Sequence, residues 1–226
     1  MMAIVKAGFS KRIAKATANH AELMLAVHNK KNEQALRTIL TEQYVMLAVV
    51  LWETYLNDLF IAYAMDKPST VISSLEKRIA SSIGSKFGQY AATCVKFAVR
   101  KPITRQTIVS LLDPKNWNIT ASSSKDLATK ANEILHATFA KRFSLDKADS
   151  QFLDFAIAVR NFLSHRSGGS RTTLRNALNL LSEPANDFLT GGNTANFGTY
   201  LKTPCASGKS RAIELVNRLA GVAEKL

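Results

Sequence analysis

Apolar residues recur along this chain with the spacing of amphipathic helices, and this pattern predicts an all-α fold. The clearest segment runs from Asn32 to Met65. Its apolar side chains return at mostly three-, four- and seven-residue intervals, and neither Pro nor Gly occurs before Pro68. The middle of the segment, Val45 to Trp52, is apolar on all sides, which is typical of a helix that crosses the centre of a domain. We therefore predict one long core helix here.

The same periodicity predicts helices along most of the remaining chain, as a single all-α bundle of about six to eight helices over residues 1–226. The predicted helical segments are Lys6 to Lys31, Ser69 to about Ile83 with Ser69 as its cap, the amphipathic stretch Gln89 to Val99, a short turn at Thr104 to Leu112, Asp126 to Phe143, Asp146 to His165 with a stop near Gly168 and Gly169, Arg171 to Leu181, and Ser210 to Leu226. Residues 190–208 are rich in Gly, Thr and Asn and are predicted to form an irregular loop or a short hairpin.

Length and composition indicate a soluble domain with a proper core. The chain has 226 residues, 46% of them hydrophobic, and its longest apolar run ends at Glu53, well short of the roughly 18 residues of a membrane span. The N-terminal apolar patch is too short for a secretory signal. We therefore expect a cytoplasmic protein that does not contact a membrane. Cys94 and Cys205 form no C-x-x-C pair, so we expect two reduced thiols.

Positive charge is concentrated in two stretches of the chain. The net charge is +13, and seven basic residues but no acid lie between Lys77 and Leu112. Four more basic residues and no acid lie between Phe155 and Ser182. Charge clustered in this way favours a polyanionic partner such as nucleic acid. The alternative interpretation is a solvated surface without a partner.

A short group of polar residues near the end of one predicted helix has the composition of a reactive site. Arg160 and His165 flank four residues, Asn161 directly follows the arginine, and Asp154 precedes it by six positions. A turn rich in Gly and Arg comes next. The whole pattern is Asp-x5-Arg-Asn-x3-His. The alternative is a structural histidine beside a surface arginine at a helix end.

This pattern resembles the HEPN superfamily, whose ribonuclease members carry an Arg, four to six residues and then a His, often with a polar residue directly after the Arg. A second likeness lies on the long early helix, where Trp52-Glu53 is similar to the Trp-Glu signature of RiboL-PSP-type HEPN proteins. Some toxin members have Tyr two residues after the His, where this chain has Ser167. The resemblance covers the chain from about Gln34 to the terminal helix.

The resemblance implies an all-helical, metal-independent endoribonuclease that needs no cofactor and acts as a dimer with a composite site. It also implies a role as a toxin in a toxin-antitoxin pair or as an antiviral defence effector, controlled by a cognate antitoxin or regulatory protein. In that case we expect RNA contacts from Arg100, Lys101, Arg105, Arg166, Arg171 and Arg175.

Elementary chemistry makes the same residues suitable for cutting RNA. A base must take the proton of the 2′-OH, a donor must stabilise the crowded phosphate, and an acid must protonate the leaving 5′-oxygen. An imidazole such as that of His165 can serve as base or acid at neutral pH. Arg160 offers a permanent planar donor for phosphate oxygens. Asp154 or Glu53 could orient either group by hydrogen bonding.

Helical geometry places a constraint on this site. At about 100° per residue, Arg160 and His165 lie roughly 140° apart on one helix, whereas Asp154, Asn161 and His165 fall within about 40° of one another. The arc between His165 and Arg160 carries Leu153, Ile157 and Ser164. We interpret this second apolar arc as a two-fold dimer contact that brings Arg160 and His165 of both chains to one cleft. The alternative is that Leu153 and Ile157 pack inside their own chain.

Two other functions remain open at this point. One is a non-catalytic HEPN-like module that uses the basic surface to hold RNA, a nucleotide or a protein. The other is a helical assembly or regulatory protein whose positive charge binds DNA. The remaining histidines, His20, His28 and His136, have no set of neighbouring metal ligands and are expected to be structural, so no metal site is predicted.

Overall fold

The structure, a computed structural model, describes residues 1–94, 103–113, 119–181 and 196–226. Across these ranges it contains eleven α-helices, one 3₁₀ turn at Lys141–Phe143 and no β-strand. The predicted all-α class is confirmed, with more helices than the predicted six to eight. The helices are α1 (Met2–Ala26), α2 (Glu33–Asp66), α3 (Pro68–Phe87), α4 (Gln89–Thr93), α5 (Arg105–Leu112), α6 (Ser124–Ile134), α7 (Ala137–Ala140), α8 (Lys147–His165), α9 (Gly168–Leu180), α10 (Phe197–Lys202) and α11 (Arg211–Lys225).

Helix α2 forms the centre of the hydrophobic core, as its all-round apolar sequence predicts. Helix α1 packs on it through Phe9, whose ring stacks on Tyr55 at a centroid distance of 4.6 Å. Helix α11 covers another side, where the Tyr55 hydroxyl donates a hydrogen bond of 2.7 Å to the carbonyl of Ala223. Burial of the tyrosine makes its phenolate costly and raises the pKa of Tyr55. The hydroxyl therefore stays protonated as a donor.

The length and apolar character of α2 would also allow it to cross a bilayer. In the protein, however, 56% of its most apolar 18-residue window is buried against other parts of the chain. Such burial is the behaviour of a core helix.

Helix α8 is the second major core element and begins at a side-chain cap. The Asp146 carboxylate accepts a hydrogen bond of 2.8 Å from the Asp149 amide, which satisfies one of the free N–H groups of the first turn. Phe152, Phe155 and Phe162 on one side of the helix are buried in the core. The helix ends at His165 because Arg166 adopts a left-handed conformation with φ of 52°.

The predicted helix from Asp126 to Phe143 is wrong as a continuous element. Helix α6 ends at Ile134, Leu135 is extended, and α7 starts again with the His136 ring accepting a hydrogen bond from the Thr138 amide. The interruption lets Phe143 pack at 4.8 Å from Phe60 of α2. Tertiary packing therefore outweighs local helix propensity at this point.

The predicted stop near Gly168 and Gly169 is confirmed, because α8 ends at His165, and the two glycines themselves begin α9. Ser167 caps the new helix by accepting a hydrogen bond of 3.1 Å from the Ser170 amide. The predicted cap of α3 is wrong. Lys67 is the cap and Pro68 occupies the first turn, so Ser69 lies inside the helix.

The stretch predicted to be a loop or hairpin contains a helix. Within residues 190–208, residues 190–195 lie outside the described part of the chain, and α10 occupies Phe197–Lys202 with Asn196 as its cap. A single bridge between Pro204 and Ser210 then closes the turn that leads into α11. Of the amphipathic stretch Gln89 to Val99, α4 covers Gln89–Thr93, and the prediction for residues 95–99 lies outside the described residues.

Candidate functional site

The last turns of α8 lie antiparallel against the first half of α2. Residues with rising numbers towards the end of α8 contact residues with falling numbers on α2. The pairs are Arg160 with Glu53, Ser164 with Met46, and Arg166 with Glu42. This contact places the Arg-Asn-x3-His segment at the edge of the core. Its apolar residues are buried, and its polar residues lie at the surface.

Arg160 is held by two neighbours. One terminal nitrogen of its guanidinium lies 3.0 Å from Glu53 Oε1 and 3.2 Å from Oε2, and the other donates a hydrogen bond of 2.9 Å to Asn161 Oδ1. The side chain keeps 32% of its surface exposed. A guanidinium has five N–H donors, so these contacts leave donors available to a ligand. The structure therefore gives Arg160 a fixed orientation and remaining capacity for phosphate oxygens.

His165 is the last residue of α8 and is exposed to solvent. Within the described residues, no hydrogen bond engages its ring, so both ring nitrogens are accessible. Because α8 is regular up to this residue, His165 and Arg160 point about 140° apart, as their spacing predicts. A single copy of the chain does not bring the two side chains together.

Asp154 does not contact Arg160 or His165. Its carboxylate accepts two hydrogen bonds from Ser124, one of 2.6 Å from the amide and one of 3.1 Å from the hydroxyl. Ser124 is the first residue of α6, so Asp154 fastens the beginning of that helix to α8. Of the two acids considered for orienting the site, only Glu53 is placed against it.

The second apolar arc on α8 is largely internal. Leu153 is fully buried in the core of its own chain, and Ile157 is half-buried and packs against the same core. Leu153 therefore cannot form a dimer contact, and the predicted partner contact on it is wrong. The alternative, packing within the chain, holds for this residue because none of its surface is exposed.

Two predicted RNA-binding arginines stack on one aromatic ring. The guanidinium carbons of Arg166 and Arg171 lie 5.4 Å and 5.5 Å from the centroid of Phe162. Arg166 is also paired with Glu42, which leaves Arg171 and the exposed Arg175 as the less engaged cations of this group. These side chains form a basic surface on α9 immediately after His165.

The other predicted basic surface is described only in part. Arg105 is more than half exposed and lies 3.6 Å from Asp58, a weak surface pair. Arg100 and Lys101 lie outside the described residues.

Glu42 is a contributor to the site that sequence reasoning missed. Its carboxylate faces Arg166, and the spacing of eleven residues between Glu42 and Glu53 returns to the same face of α2 after three turns. No other charge lies between these two acids. Two acids on one face of a helix, with no other charge between them, were the signal that a cationic neighbour packs there.

The other histidines have structural neighbours. His20 is buried and stacks in parallel on Tyr44 at 4.4 Å, and its burial lowers its pKa. His28 lies 3.2 Å from Glu33. In the described part of the chain, no three His, Cys, Asp or Glu side chains come together in a way that could hold a metal ion. Both cysteines are free thiols, Cys94 exposed and Cys205 buried.

Comparison of the chain with protein-family models, with curated proteins and with solved structures gives no match. The functional interpretation therefore depends on the residues and contacts described above.

Proposed function

We propose that this chain is a metal-independent endoribonuclease of the HEPN type, acting in the cytoplasm as a toxin or anti-phage effector. One observation carries the proposal. Glu53 and Asn161 orient the Arg160 guanidinium and leave some of its N–H donors unused, and the exposed His165 follows on the same helix. A fixed phosphate donor and an accessible imidazole are the minimum that cleavage of RNA without a metal requires.

The chemistry uses the 2′-hydroxyl of the substrate as nucleophile. A base removes its proton, the oxygen attacks the adjacent phosphorus, and the bond from phosphorus to the 5′-oxygen breaks as an acid protonates the leaving group. In the proposed site His165 moves these protons and Arg160 stabilises the phosphate oxygens. The products then carry 2′,3′-cyclic phosphate and 5′-hydroxyl ends. Glu53 acts as a positioning residue, because it touches Arg160 rather than the substrate.

The angle between Arg160 and His165 makes a second copy of the chain part of the proposal. In one copy the two side chains diverge, so a two-fold pair must supply Arg160 and His165 to a common cleft. With Leu153 buried, the contact surface must lie elsewhere on the protein. The best candidate is the outer face of α2.

An apolar stripe on α2 borders the site and is left uncovered in the single chain. We call it the α2 stripe, and its apolar members, each 37% to 53% exposed, are Leu36, Ile39, Leu47 and Val50. Their spacing places them within about 80° on the helix, next to the face that carries Glu42 and Glu53. Exposed apolar surface of this kind marks an interaction site. A second copy docked on the α2 stripe would lie beside Arg160.

The basic surface on α9 supports RNA as the substrate. Arg171 and Arg175 lie just beyond His165 and have no acidic partner among the described residues. Arginines of this kind bind phosphates along the nucleic-acid backbone and make binding dependent on salt. They would hold the strand while the site acts on one phosphate.

A binding module without catalysis is the second candidate, and two observations favour it. The ion pair with Glu53 and the divergence from His165 are also what a purely structural Arg160 would show. In that case the basic surface would hold RNA, a nucleotide or a protein without cutting anything.

Cleavage assays on purified protein separate the two candidates. We expect structured RNA to be cut in the presence of EDTA, with 2′,3′-cyclic phosphate ends, and a substrate with 2′-deoxyribose at the cut to survive. His165→Ala should reduce the rate by at least about 10²-fold, the usual contribution of general acid–base catalysis. Arg160→Lys should recover little of the activity lost in Arg160→Ala, because an ammonium cannot make a planar two-pronged contact. His28→Ala, a change of an exposed histidine elsewhere, should leave the rate unchanged.

Two results would contradict the proposal. Wild-type rates from a folded His165→Ala protein would exclude His165 from the reaction. Retention of RNA without cleavage by the unaltered protein would leave the binding module as the function.

A further inference from the structure

A cavity of about 300 Å³ lies between α8, α9 and the residues that precede α6. Its apolar lining comes from Ile157 and Ala158 of α8 and from Ala177 and Leu180 of α9. Leu180 is 63% exposed, so the cavity has an open side. Small-molecule sites share this size and this mainly apolar lining with a few polar groups.

The polar groups around the cavity are almost all uncharged. Asn161, Thr173 and Asn176 contribute amides and a hydroxyl, and the described residues of the lining include no Lys, Arg or His. Asp154 is the one carboxylate among these described residues, and its two oxygens are already bonded to Ser124. The described lining therefore offers no cation to a phosphate or an acid, and it offers an amine only a carboxylate that is already hydrogen-bonded. The lining instead matches a neutral ligand with apolar faces and hydrogen-bonding edges.

We propose that this cavity binds the nucleobase of the RNA nucleotide beside the cut and gives the enzyme a base preference. This inference rests on the proposed ribonuclease function. Single-stranded bases can swing out of a strand, insert their flat faces between apolar side chains and present their edges to hydrogen-bonding groups. Side-chain amides are the groups that pair best with a base edge, because each offers a donor and an acceptor side by side.

Asn161 connects the cavity to the reacting groups. It lines the cavity, and its Oδ1 accepts the hydrogen bond from Arg160 that helps to orient the guanidinium. Ile157, Asn161 and His165 follow one another at four-residue intervals on one side of α8. At 1.5 Å per residue, Asn161 lies about 6 Å along the helix axis from His165. A nucleotide with its base over Ile157 would therefore leave the cavity at Asn161, beside the Arg160 guanidinium that points to the cleft shared with the second copy.

Asn176 is the residue to change first. It lines the cavity, it is exposed, and no hydrogen bond to another described residue uses its amide. Asn179 provides a matched control, because it is an exposed asparagine on the same helix that does not line the cavity. Ala177→Leu provides a second variant, since it fills the cavity without removing a polar group. All three changes leave Arg160, Asn161 and His165 intact.

The experiment measures binding of four uncleavable oligodeoxynucleotides, each of a single base type, to the purified full-length protein. We expect the unaltered protein to prefer one base by roughly fivefold to a hundredfold in Kd, the range for a paired amide contact. Asn176→Ala and Ala177→Leu should bring the four Kd values close together, while Asn179→Ala should keep the preference. Circular dichroism melting checks that each variant is folded.

Equal affinity of the unaltered protein for all four oligonucleotides would overturn the inference, as would a preference that survives both cavity variants. Because the probes lack the 2′-hydroxyl, the result does not depend on catalysis. Cleavage without base preference would refute the inference alone, and base preference without cleavage would refute the proposed ribonuclease alone.

Discussion

At the scale of single residues, Glu53 and Asp154 both accept hydrogen bonds from a polar neighbour, but only Glu53 binds a cation, the Arg160 guanidinium. Glu53 holds the guanidinium of Arg160, whereas Asp154 holds the backbone and hydroxyl of Ser124. The first contact orients a side chain at the surface. The second contact joins two helices. Changes at the two acids should therefore have different effects.

We expect Asp154→Ala to lower the stability of the protein and not its chemistry. Loss of two hydrogen bonds to a half-buried carboxylate should reduce the free energy of unfolding by about 1 to 3 kcal/mol. For a chain of this size that corresponds to a fall in Tm of several degrees, measured by thermal melting. The cleavage rate per folded molecule should fall far less than the roughly 10²-fold expected for His165→Ala, because Asp154 contacts neither Arg160 nor His165.

Ser124→Ala serves as the companion change to Asp154→Ala. It keeps the hydrogen bond from the Ser124 amide to Asp154, so it should lower the free energy of unfolding by less than Asp154→Ala does. In the double variant the two losses should not add, because both changes remove the same hydroxyl contact. A large loss of activity in a fully folded Asp154→Ala protein would return Asp154 to the reacting site.

The sequence proposes site residues but does not indicate their contacts. The spacing from Arg160 to His165 implies divergent side chains on one helix, and α8 is indeed helical as far as His165. It could not indicate which acid meets Arg160, because that depends on how α2 is rotated against α8. The sequence also could not indicate that Leu153 is buried, because packing against neighbouring helices decides which of the two apolar arcs on α8 faces the core.

At the scale of helices, the approach of α10 to α2 depends on a glycine. A Cβ built on Gly198 would lie 2.5 Å from Thr38 Cγ2 and 2.3 Å from Glu42 Oε1, both closer than real contacts allow. Lys202 of the same short helix also donates to Thr38 and Gln34 of α2. Because Glu42 is the partner of Arg166, this packing extends to the end of α8.

We expect Gly198→Ala to destabilise the protein by about 1 to 3 kcal/mol, the usual cost of overpacking a tight contact. Gly221→Ala in α11 is the matched control, because nothing lies within 4 Å of its built Cβ. Alanine is the better helix former, so that change should stabilise by roughly 0.5 to 1 kcal/mol. Chemical denaturation measures both values, and equal effects from the two glycines would contradict the close approach.

Helices with a continuous apolar face are predicted well from sequence, and their interruptions are not. Helix α2 begins and ends within one residue of its prediction. The break at Leu135 has no local signal such as Gly or Pro, and it arises because Phe143 packs against Phe60. Gly168 and Gly169 fit either the end of one helix or the beginning of the next, so their composition alone does not decide.

At the scale of the whole molecule, the α2 stripe predicts how two copies associate. We expect the unaltered protein to be a dimer in light scattering, and Leu47→Asp or Val50→Asp to convert it to a monomer and abolish cleavage. An unpaired charge in a packed interface costs several kcal/mol. Leu25→Asp, at a site on α1 that is 75% exposed, is the control and should leave the dimer intact.

A protein that cleaves RNA as a strict monomer would exclude the composite site. A dimer that survives both changes in the α2 stripe would place its contact on another surface. Leu153 is unsuitable for this test, because a charge at a fully buried position would unfold the chain before it could report on association.

The position of α2 in the chain has a consequence for synthesis on the ribosome. Its covering helices are encoded much later, since α8 starts at Lys147 and α11 at Arg211. At about 5 to 20 residues per second, roughly 7 to 30 seconds pass between completion of α2 and the appearance of α11. Until α8 is made, the helices described here that can cover α2 are α1, α3 and α5, and its surface is apolar enough for a lipid bilayer. We therefore expect slow translation of the second half of the chain to favour aggregation, because the apolar surface of α2 stays uncovered for longer.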